Sequence, residues 1–210
     1  MILRTKKLPF DSMHEECGVF GVYSQENRNV AHTVYYGLYA LQHRGQESAG
    51  IAVAFADKIN YYKGMGLVPD VFSNGNLDKL PEGDIAIGHV RYSTTGASQL
   101  LNAQPVVFTG KCGRMAVAHN GNLINTKQLR DGLIAQNSVF QTTIDSEVIA
   151  VLINSLSDGD IITGVKRACA KFKGSYALVV MTADKLIAVR DPFGIRPLCL
   201  GTTESDVVVA

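Results

Sequence analysis

The sequence predicts an α+β domain in which two β-sheets are packed together and helices lie outside them. Short apolar, β-prone segments dominate the first and last parts of the chain, and segments with helical periodicity dominate the middle. This order favours layered sheets and helices. The 210 residues are 46% hydrophobic and 19% charged, which is an ordinary globular balance and enough chain for a substantial core.

The N-terminal part of the chain contains five predicted strands and one helix. Apolar residues recur at helical spacing over 30–42, and Gly45 follows as a stop signal, so we predict a helix there. Asp57 and Lys58 form the predicted turn between a pair of strands. The predicted strands are 18–23, 50–56, 59–64, 85–90 and 115–120.

Three helices and four further strands are predicted in the rest of the chain. Asn125 with Gln128 is typical of a capping pair that opens a helix, and Asp160 is predicted to cap the last helix. The predicted helices are 126–136, 145–156 and one that ends near 172–173; the predicted strands are SYALVVM, KLIAVR, PLCL and DVVVA. Because the sequence stops at Ala210 inside an apolar run, we expect a fragment of a longer polypeptide.

Charge and hydropathy exclude several classes of partner. The formal net charge is +1, so no basic surplus indicates binding to nucleic acid. The sequence contains no run of about 18 apolar residues, which a membrane-spanning helix would need. The first ten residues lack the apolar core of a secretion signal. Four cysteines, none in a Cys-x-x-Cys pair, fit reduced thiols, and we expect a cytoplasmic protein.

Five polar clusters follow strands or precede helices, where rigid elements present functional groups. Taken singly, each has a structural explanation. Asn120 and Gly121 are typical of a hairpin turn, Arg91 of one half of a salt bridge, and Asp145 of a helix cap. The clusters are 15–18, 42–47, 88–96, 119–122 and 145–147.

The order and spacing of these clusters carry a resemblance to a known family. The segments are ECGVFGVY, LQHRGQESAGIA, IGHVRYSTTG, NAQP, AHNGNLIN, DSEVIA and RDPFGIRPL. The chain resembles the glutamine amidotransferases of the N-terminal nucleophile class, and within them the amidophosphoribosyltransferases made as precursors. The resemblance implies a four-layer αββα sandwich of two mostly antiparallel sheets, a leader over 1–16 that is removed, and a glutaminase domain over 17–210.

The resemblance assigns the covalent chemistry to Cys17, Asn120 and Gly121. Glutamine's amide is hydrolysed more easily through a thioester, and a thiol with a pKa of about 8.5 needs a base to become the nucleophile. In this class the base is the α-amino group of the same cysteine, which Cys17 acquires when the leader is cut off. Asn120 and the Gly121 N–H would then bind the oxyanion of the tetrahedral intermediate.

The resemblance also assigns residues to the recognition of free glutamine. Arg91 matches the position that binds the α-carboxylate, for which a planar bidentate donor is suited. Asp145 matches the position that binds the α-ammonium group, and Thr94 is expected to add a hydroxyl contact. Arg44 lies in the loop on the nucleophile side and is expected to order the site.

Other readings of the same residues remain open. A Cys–His protease would use His89 or His119 as the base, although in the resembled class these histidines are structural. His14 and Cys17 have an H-x-x-C spacing, but without a second ligand pair we predict no metal site. The alternatives to this assignment are a glutaminase domain of a hexosamine- or asparagine-type amidotransferase and a catalytically silent regulatory module.

The resemblance also implies partners that this chain does not itself hold. Family enzymes carry a phosphoribosyltransferase domain after the glutaminase domain, and its signature loop for phosphoribosyl pyrophosphate and Mg²⁺ is missing from this sequence. Mg²⁺ and a 4Fe–4S cluster are therefore expected only with that further region, and no cofactor is expected in this chain. The partner of this domain would be glutamine, and the longer protein is expected to be a homo-oligomer.

Overall fold

The computed structural model describes residues 17–26, 29–92 and 99–210 of the chain. Within them, ten strands and five helices alternate with two short 3₁₀ turns, Gln42–Arg44 and Leu100–Asn102. The strands are β1 (Gly18–Ser24), β2 (Ser48–Phe55), β3 (Lys58–Met65), β4 (Ile85–Arg91), β5 (Val106–Gly110), β6 (Gly113–Leu123), β7 (Gly174–Met181), β8 (Leu186–Arg190), β9 (Leu200–Thr202) and β10 (Asp206–Val209). The helices are α1 (Val30–Ala40), α2 (Val68–Val71), α3 (Thr126–Ile134), α4 (Asp145–Ser155) and α5 (Ile161–Cys169).

The strands form two sheets in which every strand pair is antiparallel. The larger sheet has six strands in the order β3-β2-β4-β1-β10-β9, and the smaller has four in the order β5-β6-β7-β8. Strands that are distant in sequence are therefore neighbours, because β1 lies between β4 and β10 at the centre of the larger sheet.

Three apolar clusters separate four layers of secondary structure. Leu38 of α1 belongs to the cluster between the larger sheet and its helices. Ile87 and Val179 belong to the cluster between the two sheets. Val117 of β6 packs with Ile149 of α4 in the third cluster, beneath the helices on the smaller sheet. The predicted αββα sandwich is thus confirmed, since each sheet buries one face on the other and one face under helices.

Two local predictions were wrong in instructive ways. The β2–β3 turn lies at Ala56 and Asp57, one residue earlier than predicted, because both residues have positive φ (46° and 59°) as a two-residue hairpin requires. Asn125 precedes α3 but its side chain does not cap it. Its Oδ1 instead accepts from the Lys173 N–H (3.0 Å) and its Nδ2 donates to the Lys171 carbonyl (2.9 Å), which ties the α5–β7 connection to α3.

Other boundaries shift by a few residues. The helix predicted over 30–42 ends at Ala40 and continues as a 3₁₀ turn, and of the predicted PLCL strand the structure keeps the final Leu200 as the start of β9. Two short elements, α2 and β5, were not predicted. The Asp160 cap is confirmed, since its carboxylate accepts from the Thr163 N–H at 2.8 Å. In the described part of the chain, no helix is both long and apolar enough to span a bilayer.

Candidate active site

Strand alternation brings two of the predicted site residues toward the space between the sheets, and a third lies at the start of a neighbouring strand. On β4, Ile87 contacts the cluster between the sheets, and Arg91, four residues later, lies on the same side of the strand. On β6, Ala118 contacts that cluster, and Asn120 follows on its side of the pleat. Cys17 immediately precedes β1, the strand paired with β4. A thiol, a guanidinium and an amide thereby lie at the same end of the sandwich.

Arg44 holds the backbone of Cys17 from two sides. The Cys17 N–H donates to the Arg44 carbonyl (3.0 Å), and the Arg44 Nε donates to the Cys17 carbonyl (2.9 Å). Cys17 adopts a left-handed φ of 64°, an uncommon backbone conformation for a residue with a side chain. Its Sγ lies 3.6 Å from the Tyr92 carbonyl. Arg44 thus contacts the backbone of the cysteine predicted to be the nucleophile, and its role in ordering the site stays a prediction.

Arg91 is paired with Glu47 inside the site. The guanidinium Nη1 donates to Glu47 Oε1 at 2.8 Å, and the two side chains are 5% and 14% exposed. The Glu47 backbone N–H also donates to the Arg91 carbonyl (2.9 Å), so both residues are fixed together. The salt bridge considered for Arg91 is therefore present, and its role in binding glutamine stays a prediction. Sequence reasoning gave Glu47 no role, although a carboxylate directly before a buried strand was the available signal.

Asn120 and Gly121 lie within β6 and form no turn, because the strand continues to Leu123. Asn120 is buried, and its Oδ1 has no hydrogen-bond partner among the described residues. Gly121 has a φ of 151°, and a Cβ there would lie 2.2 Å from the Ser175 carbonyl oxygen of β7. The neighbouring strand therefore excludes a side chain at this position, whatever the role of its N–H.

Asp145 begins α4 and faces His119 of β6. His119 Nδ1 lies 3.3 Å from Asp145 Oδ1. Burial alone would raise the pKa of Asp145, but His119 and the backbone of Leu123 and Ser146 outweigh it and hold the pKa below its usual range. The N-terminus of α4 favours the same anion. The carboxylate is therefore ionised near neutral pH.

The two histidines are engaged in structural contacts. His89 Nε2 lies 3.0 Å from the His119 carbonyl oxygen and must donate to it. Burial, helped by the nearby positive charges of His119 and Arg91, lowers the pKa of His89 to about 3. His119 shares the α4 side of β6 with Val117, the opposite face to Asn120. This arrangement favours a structural role for both histidines over a role as the base of a Cys–His protease.

Several predictions fall outside the described residues or are not tested by the geometry. Thr94 and the leader over 1–16 lie outside the described residues. None of the four cysteines, all within the described residues, forms a disulfide, and burial raises the pKa of the Cys169 thiol. Among the residues that the structure describes, no group of three or more His, Cys, Asp or Glu side chains is placed to hold a metal ion.

A family model described as "Glutamine amidotransferase domain" matches residues 89–210. An amidophosphoribosyltransferase of Methanocaldococcus jannaschii is 50% identical over 196 residues, which cover 92% of this chain and 41% of that protein. An amidophosphoribosyltransferase of Bacillus subtilis is 44% identical over 199 residues, or 94% of this chain and 41% of that one. The chain thus spans about two-fifths of the length of these relatives.

Two solved structures share the fold. One, described as the allosteric regulatory enzyme of purine biosynthesis, superposes with a TM-score of 0.85 at 42% identity, over 91% of this chain and 41% of that one. The other is the glutamine phosphoribosylpyrophosphate amidotransferase from B. subtilis complexed with ADP and GMP. It superposes with a TM-score of 0.82 at 43% identity, over the same shares of the two chains.

Proposed function

The chain belongs to the glutamine amidotransferase domain family, and on that premise we propose that it releases ammonia from glutamine through a thioester on Cys17. The observation that carries the proposal is the double contact of Arg44 with the Cys17 backbone. It fixes a thiol at the end of the sandwich toward which Arg91 and Asn120 also project. A cysteine held in this way, beside an arginine and an amide, suits nucleophilic attack on a free amino acid amide.

Catalysis requires that the leader be removed first. The nitrogen of an internal Cys17 is an amide and cannot accept a proton, whereas a free α-amine has a pKa of about 7.7–8.0. We infer that the Cys17 thiol attacks the Glu16 carbonyl and displaces its own nitrogen, which leaves a thioester and a free α-amine. Water then hydrolyses the thioester and releases the leader. The Arg44 carbonyl, which accepts the Cys17 N–H at 3.0 Å, is placed to orient that new amine.

The same two groups of Cys17 then turn over glutamine. The α-amine takes the thiol proton, and the thiolate attacks the side-chain carbonyl carbon. The Asn120 amide and the Gly121 N–H stabilise the resulting oxyanion, a contribution of roughly 2.7–4 kcal/mol for one donor in other enzymes. Collapse expels ammonia, which takes the proton back from the α-ammonium group. Water, activated by the α-amine, hydrolyses the thioester to glutamate.

Recognition of free glutamine rests on two opposite charges. Arg91 would bind the α-carboxylate, since a guanidinium can donate two parallel hydrogen bonds to it. Asp145 would bind the α-ammonium group, and its lowered pKa keeps it ionised for that purpose. Thr94 would add a hydroxyl contact. A glutamine residue within a protein has neither free charge, so the pair would select the free amino acid.

In the longer protein, the ammonia would pass to phosphoribosyl pyrophosphate and give 5-phosphoribosylamine, the first step of purine synthesis. The names of the relatives and the 44–50% identity support this assignment. Because the chain spans about 41% of those proteins, the phosphoribosyl pyrophosphate and Mg²⁺ sites, and any iron–sulfur cluster, would belong to the remainder. We expect that protein to be a cytoplasmic homo-oligomer.

Mass spectrometry and an ammonia assay on the same purified chain test the proposal. We expect a mass that begins at Cys17, with ammonia and glutamate released in equal amounts. Cys17→Ala should keep the leader and release no ammonia. Cys112→Ala, at another half-buried cysteine, should be processed and should release ammonia as the native chain does. Full activity with the leader attached would contradict the α-amine mechanism. No ammonia from chain that begins at Cys17 would favour the silent regulatory module.

A further inference from the structure

His119 is buried against the carboxylate proposed to bind glutamine's α-ammonium group. Its side chain is 1% exposed, whereas that of Asp145 is 19% exposed. Nδ1 lies 3.3 Å from Asp145 Oδ1, so the imidazole donates to the carboxylate from the protein side. The carboxylate therefore keeps some exposure for a ligand while a buried group holds one of its oxygens.

The backbone of His119 is fixed from several directions. Its N–H donates to Gln104 Oε1 (2.8 Å), and its carbonyl accepts from Gln104 Nε2 (3.3 Å) and His89 Nε2 (3.0 Å). It is also paired with Leu178 in the ladder between β6 and β7. These contacts come from three separate segments of the chain. The imidazole consequently has little freedom to move with the Asp145 side chain, and the carboxylate must adapt to it.

His119 has one further feature that a purely structural histidine would not be expected to keep. Its Nε2 is buried without a hydrogen-bond partner among the described residues. An unpartnered buried polar atom lowers the stability of the fold. An apolar side chain would avoid that cost while filling the space, so the histidine is explained by what Nδ1 does for Asp145.

We propose that His119 is a positioning residue that orients the Asp145 carboxylate toward the α-ammonium group of glutamine. This inference rests on the proposed function. The site's preference for a free α-amino group would then depend on His119, a residue that does not itself touch the substrate. His119 is not the base of the reaction, because strand alternation places it on the α4 face of β6, opposite to Asn120.

The test compares two substrates that differ in the α-amino group. Glutaramate is glutamine without that group, so it should gain nothing from an oriented Asp145. His119→Gln moves the donor away from the Nδ1 position, and His119→Asn keeps a donor close to it. We expect His119→Gln to lower kcat/KM for glutamine roughly tenfold, through KM, as for the loss of one charge-assisted hydrogen bond. Its kcat/KM for glutaramate should change less than about twofold.

His119→Asn should recover most of the preference for glutamine over glutaramate. The control is His32→Gln, at a partly exposed histidine paired with Asp78, which should leave kcat/KM unchanged for both substrates. An equal loss with both substrates would overturn the proposal, because a structural defect does not distinguish them. If His119→Gln does not fold, a loss of preference in a folded His119→Asn chain would overturn it as well. Failure of the native chain to hydrolyse glutamine is a separate result and would count against the proposed function.

Discussion

Replacing Arg91 by lysine isolates the contribution of a planar, two-pronged cation. The side chain is 5% exposed and donates to Glu47 at 2.8 Å, so solvent screens it little. Lysine keeps the positive charge beside Glu47. The variant thus avoids the roughly 3–5 kcal/mol penalty of leaving one member of a buried ion pair alone. We expect the fold to survive Arg91→Lys, and to be weakened markedly by Arg91→Ala.

The expected effect on glutamine binding follows from the hydrogen bonds. A guanidinium can donate two charge-assisted bonds to the α-carboxylate, whereas an ammonium shared with Glu47 can supply one at most. A hydrogen bond to a charged group contributes about 1.5–3 kcal/mol. Since 1.4 kcal/mol is a factor of ten, KM for glutamine should rise roughly 10- to 150-fold. The value of kcat should change little, because the carboxylate is bound equally in the ground and transition states.

Steady-state ammonia release over a range of glutamine concentrations measures both constants. The matched control is Arg114→Lys, at an exposed arginine of β6, for which KM should not change. Urea unfolding of each variant separates binding from folding. An unchanged KM in folded Arg91→Lys protein would refute the role of Arg91 in binding glutamine. A fall in kcat at unchanged KM would place Arg91 in the chemical step instead.

Three further outcomes follow from the described contacts. Asp191 is 3% exposed and accepts from four backbone N–H groups, so Asp191→Ala should lower the free energy of unfolding by about 2–4 kcal/mol. Asp184→Ala, at an exposed residue, should change the free energy of unfolding by less than about 0.5 kcal/mol. Equal urea midpoints for the two variants would contradict this prediction. Gly121→Ala should lower the free energy of unfolding by about 1–3 kcal/mol, because the added Cβ would collide with β7. Gly132→Ala, in open space on α3, should raise the free energy of unfolding by about 0.5–1 kcal/mol. Thermal unfolding of the two variants measures both changes. The lowered pKa of Asp145 means that its ionised form stabilises the fold above the ordinary value of 3.8 and that this contribution is lost as pH falls through the folded-state pKa. The stability difference between native and Asp145→Asn protein should therefore shrink as pH falls below about 3.8, and a difference that did not shrink there would contradict the assignment.

The sequence predicted most elements because their patterns are local. Alternation and apolar runs identified strands such as β1 and β4, and the Asp160 cap followed from residues three positions apart. The Asn125 cap failed because its amide found partners 46 and 48 residues away, on the far side of α5. A local sequence pattern indicates which hydrogen bonds a side chain can make, but the fold determines which partner lies within reach.

The residues assigned to the proposed chemistry were recognisable from sequence through the order and spacing of the clusters that carry the family resemblance, because each of them taken singly also has a structural explanation. Their partners were decided by tertiary structure. Arg44 reaches Cys17 across 27 residues, and Glu47 reaches Arg91 across 44. Period-two alternation tells which face of a strand a residue occupies, but not which sheet or helix covers that face. The pairing of His119 with Asp145 exists only because α4 is packed on β6.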